Sequence, residues 1–225
     1  MCLLHWKIEK VFTITVDNIK SNDLAIEYLR RKINNWGGSV LNAKYLHVRC
    51  CGHILNLIVS DGLKEVKDSI SRIREAVKQV RSSPSRKKKF KQCVELEKIP
   101  CKASVSLDVS TRWNSTYLML DSTVKYQRAF ERLYESYDKV SSELKKGVPT
   151  KEDWSVARIL LQFLELFYWA TLRLSGSKCV TANAYFHEVH AVETLINECL
   201  ASNDSYVHSM RMKMKVKFDK YGEIS

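Results

Sequence analysis

The chain has 225 residues, 45% of them hydrophobic and 28% charged, and a net charge of +12. That length buries roughly 70% of the unfolded surface, enough for one or two domains, and no run approaches eighteen apolar residues, so no transmembrane helix is expected. Seven scattered cysteines, and a start (Met1 to Trp6, then Lys7, Glu9 and Lys10) without a signal-peptide pattern, exclude a secreted disulfide framework and favour a reduced intracellular compartment.

In chain order, Val11 to Val16 reads as a short strand. Val11 and the alternate Phe12, Ile14 and Val16 are all apolar, which suits a strand covered on both sides. Ser21 is placed to cap a helix, with Asp23 in its first turn. Leu24, Ile26, Leu29 and Ile33 run along that helix, and Trp36-Gly37-Gly38 stops it. A second strand follows at about 45–49, so the start is a βαβ unit, expected to be parallel.

Beyond Cys50 the apolar spacing turns to threes and fours and stays there. Ile54 to Val80 is helical with a break near Gly62, and Ser82 to Ser85 ends it. A basic helix of about 85–97 stops before Pro100. Residues 101–113 form a connection with a short extended segment, and one helix runs from Asn114 through Leu133. Lys145 to Pro149 is the best internal boundary. Thr150 and Asp153 then open a helix as a capping box. That helix, 151–175, is apolar nearly all round and is expected to be central, with Gly176 closing it. Helices over about 181–201 and 204–220 complete the chain. The fold class is mainly α with a small α/β part.

The excess charge favours a polyanionic partner, with nucleic acid first among them. It is concentrated in Arg86, Lys87, Lys88, Lys89 and Lys91, and again in Arg211, Lys213, Lys215, Lys217 and Lys220. Two solvated basic faces are the plain alternative, and a basic four-residue run is also weak evidence for nuclear import.

Three local clusters bear on chemistry. Thr15-Val16-Asp17-Asn18 puts a carboxylate on a strand tip. Two-metal phosphoryl transfer needs several converging carboxylates, and an Asp-Asn pair after a strand also serves as a helix-capping turn. Cys50-Cys51-Gly52-His53 has the Cys-to-His separation of half a zinc site. No second pair stands at a matching distance, so local packing at a strand-to-helix junction is the favoured reading. Ser110-Thr111-Arg112-Trp113-Asn114 puts a guanidinium beside an indole before a helix start. The pair suits a phosphate and an exposed base. By composition alone the favoured reading is instead a Trp anchoring the helix entry into the core, with Arg112 paired to an acid such as Asp108.

Taken together and in this order, the clusters resemble hAT-superfamily transposases, in particular plant RICESLEEPER-type proteins with a BED zinc finger. The matching text includes TVDN at 15–18, SNDLAIEYL at 21–29, NWGGSVLNAKYLHVRCCGHILNLIV at 35–59 and IREAVKQVRSSPSR at 73–86. It continues with LDVSTRWNSTYLML at 107–120, LRLSGSKCVTANAYFHEV at 172–189 and KFDKY at 217–221.

The resemblance implies an RNase H-like core interrupted by a helical insertion. Residues 1–60 fall in a partial core, and 61–145 in the first part of the insertion with the basic segment and the RW motif. Residues 146–225 then form a helical hAT-like, RNase H-fold associated region. The family cuts and joins DNA with three acids and a divalent metal, Mg in the intact proteins. Asp17 matches its second acid, Cys50 and His53 its C-x-x-H motif, and Arg112 and Trp113 its RW motif, whose ring handles a flipped base or hairpin.

By the same comparison the first acid lies upstream of Met1 and the third, a Glu, beyond Ser225. The BED finger and a C-terminal dimerisation segment are missing too. Glu188 and Glu193 fall inside the insertion and match no catalytic acid.

The expectation is a transposase-derived fragment that binds DNA through Arg112, Trp113 and Arg86 to Lys89. It lacks a complete metal centre, and so DNA cleavage and strand transfer. No cofactor of its own, no membrane and no small-molecule substrate are expected, and the location is the nucleus. A protein-interaction or dimerisation remnant, pairing with itself or with full-length relatives, is the alternative. An intact metal-dependent transposase comes third.

Overall fold

A computed structural model describes residues 2–100, 104–109, 111–176, 182–198 and 205–222. Among them lie eleven helices and one two-stranded sheet, so the chain is mainly α with a small α/β part. It divides into two units, Met1–Leu55 and Asn56–Ser225.

The first unit begins with a four-residue helix, α1 (Cys2–His5), and holds the strands β1 (Ile14–Val16) and β2 (His47–Arg49). They pair in parallel, with Ile14 opposite His47 and Val16 opposite Arg49. The crossover is α2 (Lys20–Asn35), and the expected βαβ unit is present. Val11, Ile33, Ala43 and Leu46 form its small core, with Leu3 and Ile14 packed against it.

The first strand is shorter than expected. Val11 forms a separate bridge to Ser39, and regular pairing starts only at Ile14. Nor is the strand covered on both faces: Phe12 is 52% exposed and packs edge-on against Tyr45. The start of α2 also differs. Ile19, not Ser21, is the N-cap residue, because the Ile19 N–H donates back to the Asp17 carbonyl and begins the turn early. The Asn22 amide donates to that same carbonyl at 2.8 Å.

The end of α2 follows expectation. Gly38 N–H donates to the Ile33 carbonyl and Gly37 N–H to that of Asn34, a Schellman closure. It requires the left-handed φ of +75° that Gly37 adopts. A three-residue 3₁₀ turn, Leu41–Ala43, precedes β2.

Helix α3 (Cys51–Leu63) carries the chain across the division. Among its described residues the second unit has helices and no strand. It comprises α4 (Lys67–Arg81), α5 (Pro84–Leu96), α6 (Trp113–Val124), α7 (Gln127–Ser136), the short α8 (Asp138–Ser142), α9 (Lys151–Leu174), α10 (Ala182–Glu198) and α11 (Ser205–Gly222). Pro84 opens α5 at its first turn, where its missing N–H costs nothing, and Ser83 caps it by accepting from the Arg86 N–H. Proline therefore starts this helix and does not close the previous one.

The helix expected over 114–133 is two helices. Tyr126, buried and outside helical geometry, turns the chain between α6 and α7. Residues 104–109 carry no strand; residues 101–103 and 110 of the expected extended connection lie outside the described residues.

Helix α9 is the centre of the unit. It starts at the capping box that Thr150 and Asp153 form reciprocally, and it packs against α4, α6 and α10. Trp154, Leu160, Phe163, Leu164 and Phe167 fill the core from α9, Ile73 and Val77 from α4, and Phe130 from α7. By length and composition α9 could cross a membrane, yet its apolar stripe is spent on neighbouring helices. It is not buried all round, since Trp169 is 50% exposed and Leu172 is exposed beside it. It ends at Leu174 with Ser175 as cap, before Gly176.

Candidate nucleic-acid interface

Asp17 stands immediately after β1, where the ladder fixes the backbone. The Cys50 N–H continues that ladder by donating to the Val16 carbonyl at 2.9 Å. Two residues into α3, His53 points back, and its Nδ1 lies 4.0 Å from Asp17 Oδ2. The aspartate side chain is 55% exposed and the histidine 21%. The structure thus brings the strand-tip acid and the C-x-x-H histidine together. Beside them, both polar atoms of the Asn18 side chain are buried without a partner.

These residues do not fit a divalent-metal centre by themselves. Mg²⁺ asks for near-octahedral oxygen ligands, and one carboxylate and one imidazole fall short. Among the described residues no group of three or more His, Cys, Asp or Glu is placed to hold a metal. Cys50 and Cys51 are unbonded thiols. Burial, with Cys50 adjacent, pushes the Cys51 thiol up to about 11, so it is not a ready thiolate ligand.

The RW motif opens α6, and its two residues part company. Arg112 is the exposed N-cap residue. Trp113 is 4% exposed and packs into the helical unit, which corrects the expectation of an indole standing free to stack on a base. Asp108 does not pair with Arg112 either. Its side chain is buried, accepting from Arg74 Nε at 2.5 Å, Ser115 Oγ at 2.7 Å and Thr116 Oγ1 at 3.1 Å. The acid ties the loop to α4 and to the first turn of α6, and leaves Arg112 to solvent.

The buried indole still forms part of a pocket of about 330 Å³. Lys64, Lys67, Arg74 and Lys146 stand around it, with the Ser60 and Ser71 hydroxyls. Asp61 offsets Lys64 and Asp108 offsets Arg74. Lys67 and Lys146 are exposed and form no ion pair among the described residues, although the Lys146 ammonium donates to Ser71 Oγ and its backbone N–H to the Glu75 carboxylate at 3.1 Å. None of these four cations belongs to a dense basic run. Lys64 lies in the α3–α4 connection, Lys67 and Arg74 on α4 and Lys146 in the loop after α8, so periodicity does not reveal them.

The run in α5 is less uniform than its sequence. Arg86 is held by Ser82 Oγ at 2.9 Å and by Glu143, and Lys89 lies 4.4 Å over the Tyr137 ring. Lys87 and Lys88 are exposed. Half of the run is engaged with its own chain, and half faces solvent.

Residues 48–163 match the ZBED1 RNase-like helical domain, and residues 183–225 match the hAT-like transposase, RNase-H fold. Zinc finger BED domain-containing protein RICESLEEPER 2 of Oryza sativa subsp. japonica is 33% identical over 97% of this chain and 30% of its own length. The protein named Putative AC transposase of Zea mays is 32% identical over 99% of this chain and 28% of its own length. Zinc finger BED domain-containing protein DAYSLEEPER of Arabidopsis thaliana is 29% identical over 98% and 31%. The chain spans about a third of the length of these relatives. With the helical-domain match covering more than half of its residues, the chain belongs to the hAT transposase family.

Proposed function

We propose that this chain binds DNA non-specifically through the helical unit and does not cleave it with its own residues. The observation that carries the reading is the pocket at Trp113, where the exposed Lys67 and Lys146 have no ion pair among the described residues, with the exposed Arg112 next to Trp113 in sequence. Ammonium and guanidinium groups placed this way suit phosphate oxygens. Lys87 and Lys88 on α5 extend the basic surface, and the net charge of +12 supplies long-range attraction. The relatives' names, transposases and BED zinc finger proteins, support the same partner and a nuclear location.

Fluorescence anisotropy with duplex, hairpin and single-stranded DNA tests the reading. Binding falls steeply with rising salt if phosphate contacts carry it. No binding to any of the three at low salt removes the proposal. Cleavage in Mg²⁺ or Mn²⁺ by the wild type but not by Asp17→Ala overturns its second half.

A second reading rests on a different observation. The exposed side of α9 carries Trp169 and Leu172, and α10 exposes Tyr185 and Phe186. Exposed apolar surface of this kind suits self-association or pairing with a longer relative. A strict monomer in sedimentation velocity at micromolar concentration counts against the self-association arm.

A further inference from the structure

A cleft of about 860 Å³ lies along α5, away from the Trp113 pocket and sharing no residue with it. Val80, Phe90, Val94, Ile99 and Val105 make its inner surface, and Arg81, Lys87, Lys91 and Lys98 stand around it with one acid, Glu95. The volume falls in the usual range for ligand sites, about 300–1,000 Å³. Lys87, Lys91 and Val94 are spaced by four and three, the spacing of one helical face, and Lys98 follows just past the end of the helix.

The closing turn of α5 shapes the cleft at a cost. Ile99 N–H donates to the Val94 carbonyl and Lys98 N–H to that of Glu95, a Schellman closure that folds Ile99 back towards Val94. Glycine is the ordinary residue for the left-handed position in such a turn. Here Lys98 occupies it, at φ 50°. A lysine held in a conformation that glycine would adopt more cheaply points to a use for its ammonium.

We propose that this cleft docks an acidic amphipathic peptide. Its apolar side chains enter between Val94, Ile99 and Val105, and its carboxylates meet Lys98 and Lys91, whose ammonium lies 3.8 Å from Glu95 on the exposed face of α5. Two turns of a docked helix span about 11 Å, close to the rise of about 12 Å from Lys87 to Glu95 along α5. The walls favour a peptide over a nucleic acid. Phe90 and Tyr126 are buried and pack edge to face with centroids 5.8 Å apart, so neither offers an open ring face for a base. The Arg81 guanidinium already donates to the Val105 carbonyl at 2.6 Å.

The test uses the full chain and a fluorescein-labelled peptide with leucines one helical turn apart among glutamates. The expected result is saturable binding, lost when the leucines become serine. Val94→Ser with Ile99→Ser weakens it about tenfold or more and leaves duplex DNA binding unchanged. Lys98→Gly raises Tm and at the same time weakens peptide binding, which a purely structural lysine would not do. Binding that survives the double serine variant, equal binding of the serine control peptide, or oligo-dT competing at the cleft with the same sensitivity to Val94→Ser overturns the proposal. So does the absence of peptide binding at low salt.

Discussion

Arg72 on α4 grips Asp153 on α9 with two parallel hydrogen bonds, Nε to Oδ2 and Nη2 to Oδ1, both 2.6 Å. The carboxylate is 1% exposed, and its Oδ2 also accepts from the Thr150 N–H at 2.8 Å as part of the capping box. One side chain thus caps the central helix and binds it to a neighbour 81 residues away in sequence.

This geometry predicts an acid-sensitive seam. Burial alone would raise the Asp153 carboxyl. Hydrogen bonds from Arg72, the Thr150 backbone and Ser69 outweigh it and hold the group at about 2, against an ordinary 3.8. A group depressed in the folded state adds stability that is full above the unfolded value and is lost as pH falls towards 2. Asp153→Asn is therefore expected to cost about 3 kcal/mol at neutral pH, since it leaves Arg72 without its counter-charge. Its penalty shrinks between pH 5 and 2, where the wild type loses the same contribution. Urea melts of both proteins across that range measure it.

Tyr134 presents the opposite case. Its ring lies near Phe130 in the core, and its hydroxyl is buried with no hydrogen-bond partner. Burial, with Glu75 nearby, pushes that hydroxyl well above the ordinary tyrosine range, so it stays neutral at any working pH. Tyr134→Phe removes an unsatisfied polar atom and keeps the ring. The change is expected to be neutral or to stabilise by up to about 1 kcal/mol. A Tm lowered by several degrees would mean that the hydroxyl has a partner, such as a water.

Gly62 sets how closely α11 approaches α3. A Cβ placed there lies 2.5 Å from Met214 Cγ and 2.6 Å from its sulfur. Asp61–Lys217 and Glu65–Lys213 ion pairs flank the same seam. Gly62→Ala gains about 1 kcal/mol of helix propensity, and the flexible Met214 can yield, so the two effects nearly cancel. Gly62→Leu adds bulk that no rotamer of Met214 can absorb, and a loss of about 1–3 kcal/mol is expected. Faster proteolysis within α11 in the Leu variant, and not in the Ala variant, is the readout.

What the sequence showed and hid follows from range. The βαβ unit, the Gly37 closure and the Thr150–Asp153 capping box rest on neighbours a few residues apart, and each was readable. Arg72–Asp153 joins residues 81 apart and Arg74–Asp108 residues 34 apart. No local pattern announces either. The strand at 11–16 was read too long because alternation records apolar type, not whether a partner strand extends alongside, and opposite Phe12 none does. The candidate interface was half legible. Arg112 and Trp113 stand out as a pair, but no local pattern tells which of them is buried, nor that Asp108 pairs with Arg74. The lysines at 67 and 146 come to one pocket only when α4 and the loop before α9 fold together.

That opposite burial gives the sharpest test of the RW motif. Arg112 is exposed, and among the described residues its hydrogen bonds are those of its backbone, which accepts from the Ser115 N–H at 2.9 Å and donates to the Val109 carbonyl at 2.8 Å. Arg112→Ala is expected to leave Tm within about a degree, since surface changes cost under about 0.5 kcal/mol. It weakens DNA binding evenly across sequences and lowers the salt slope by about one phosphate contact. Trp113→Ala empties a buried site and costs about 3–5 kcal/mol. Its effect on DNA is then inseparable from unfolding, and Trp113→Phe, which keeps a ring in the core, is the fair comparison. If Trp113→Phe keeps DNA affinity while Arg112→Ala and Lys67→Glu lose it, the motif acts here through its charge, with the indole as its anchor. If Trp113→Phe loses hairpin binding at unchanged Tm, the indole leaves its pocket to meet the DNA, and the buried position is only its resting one.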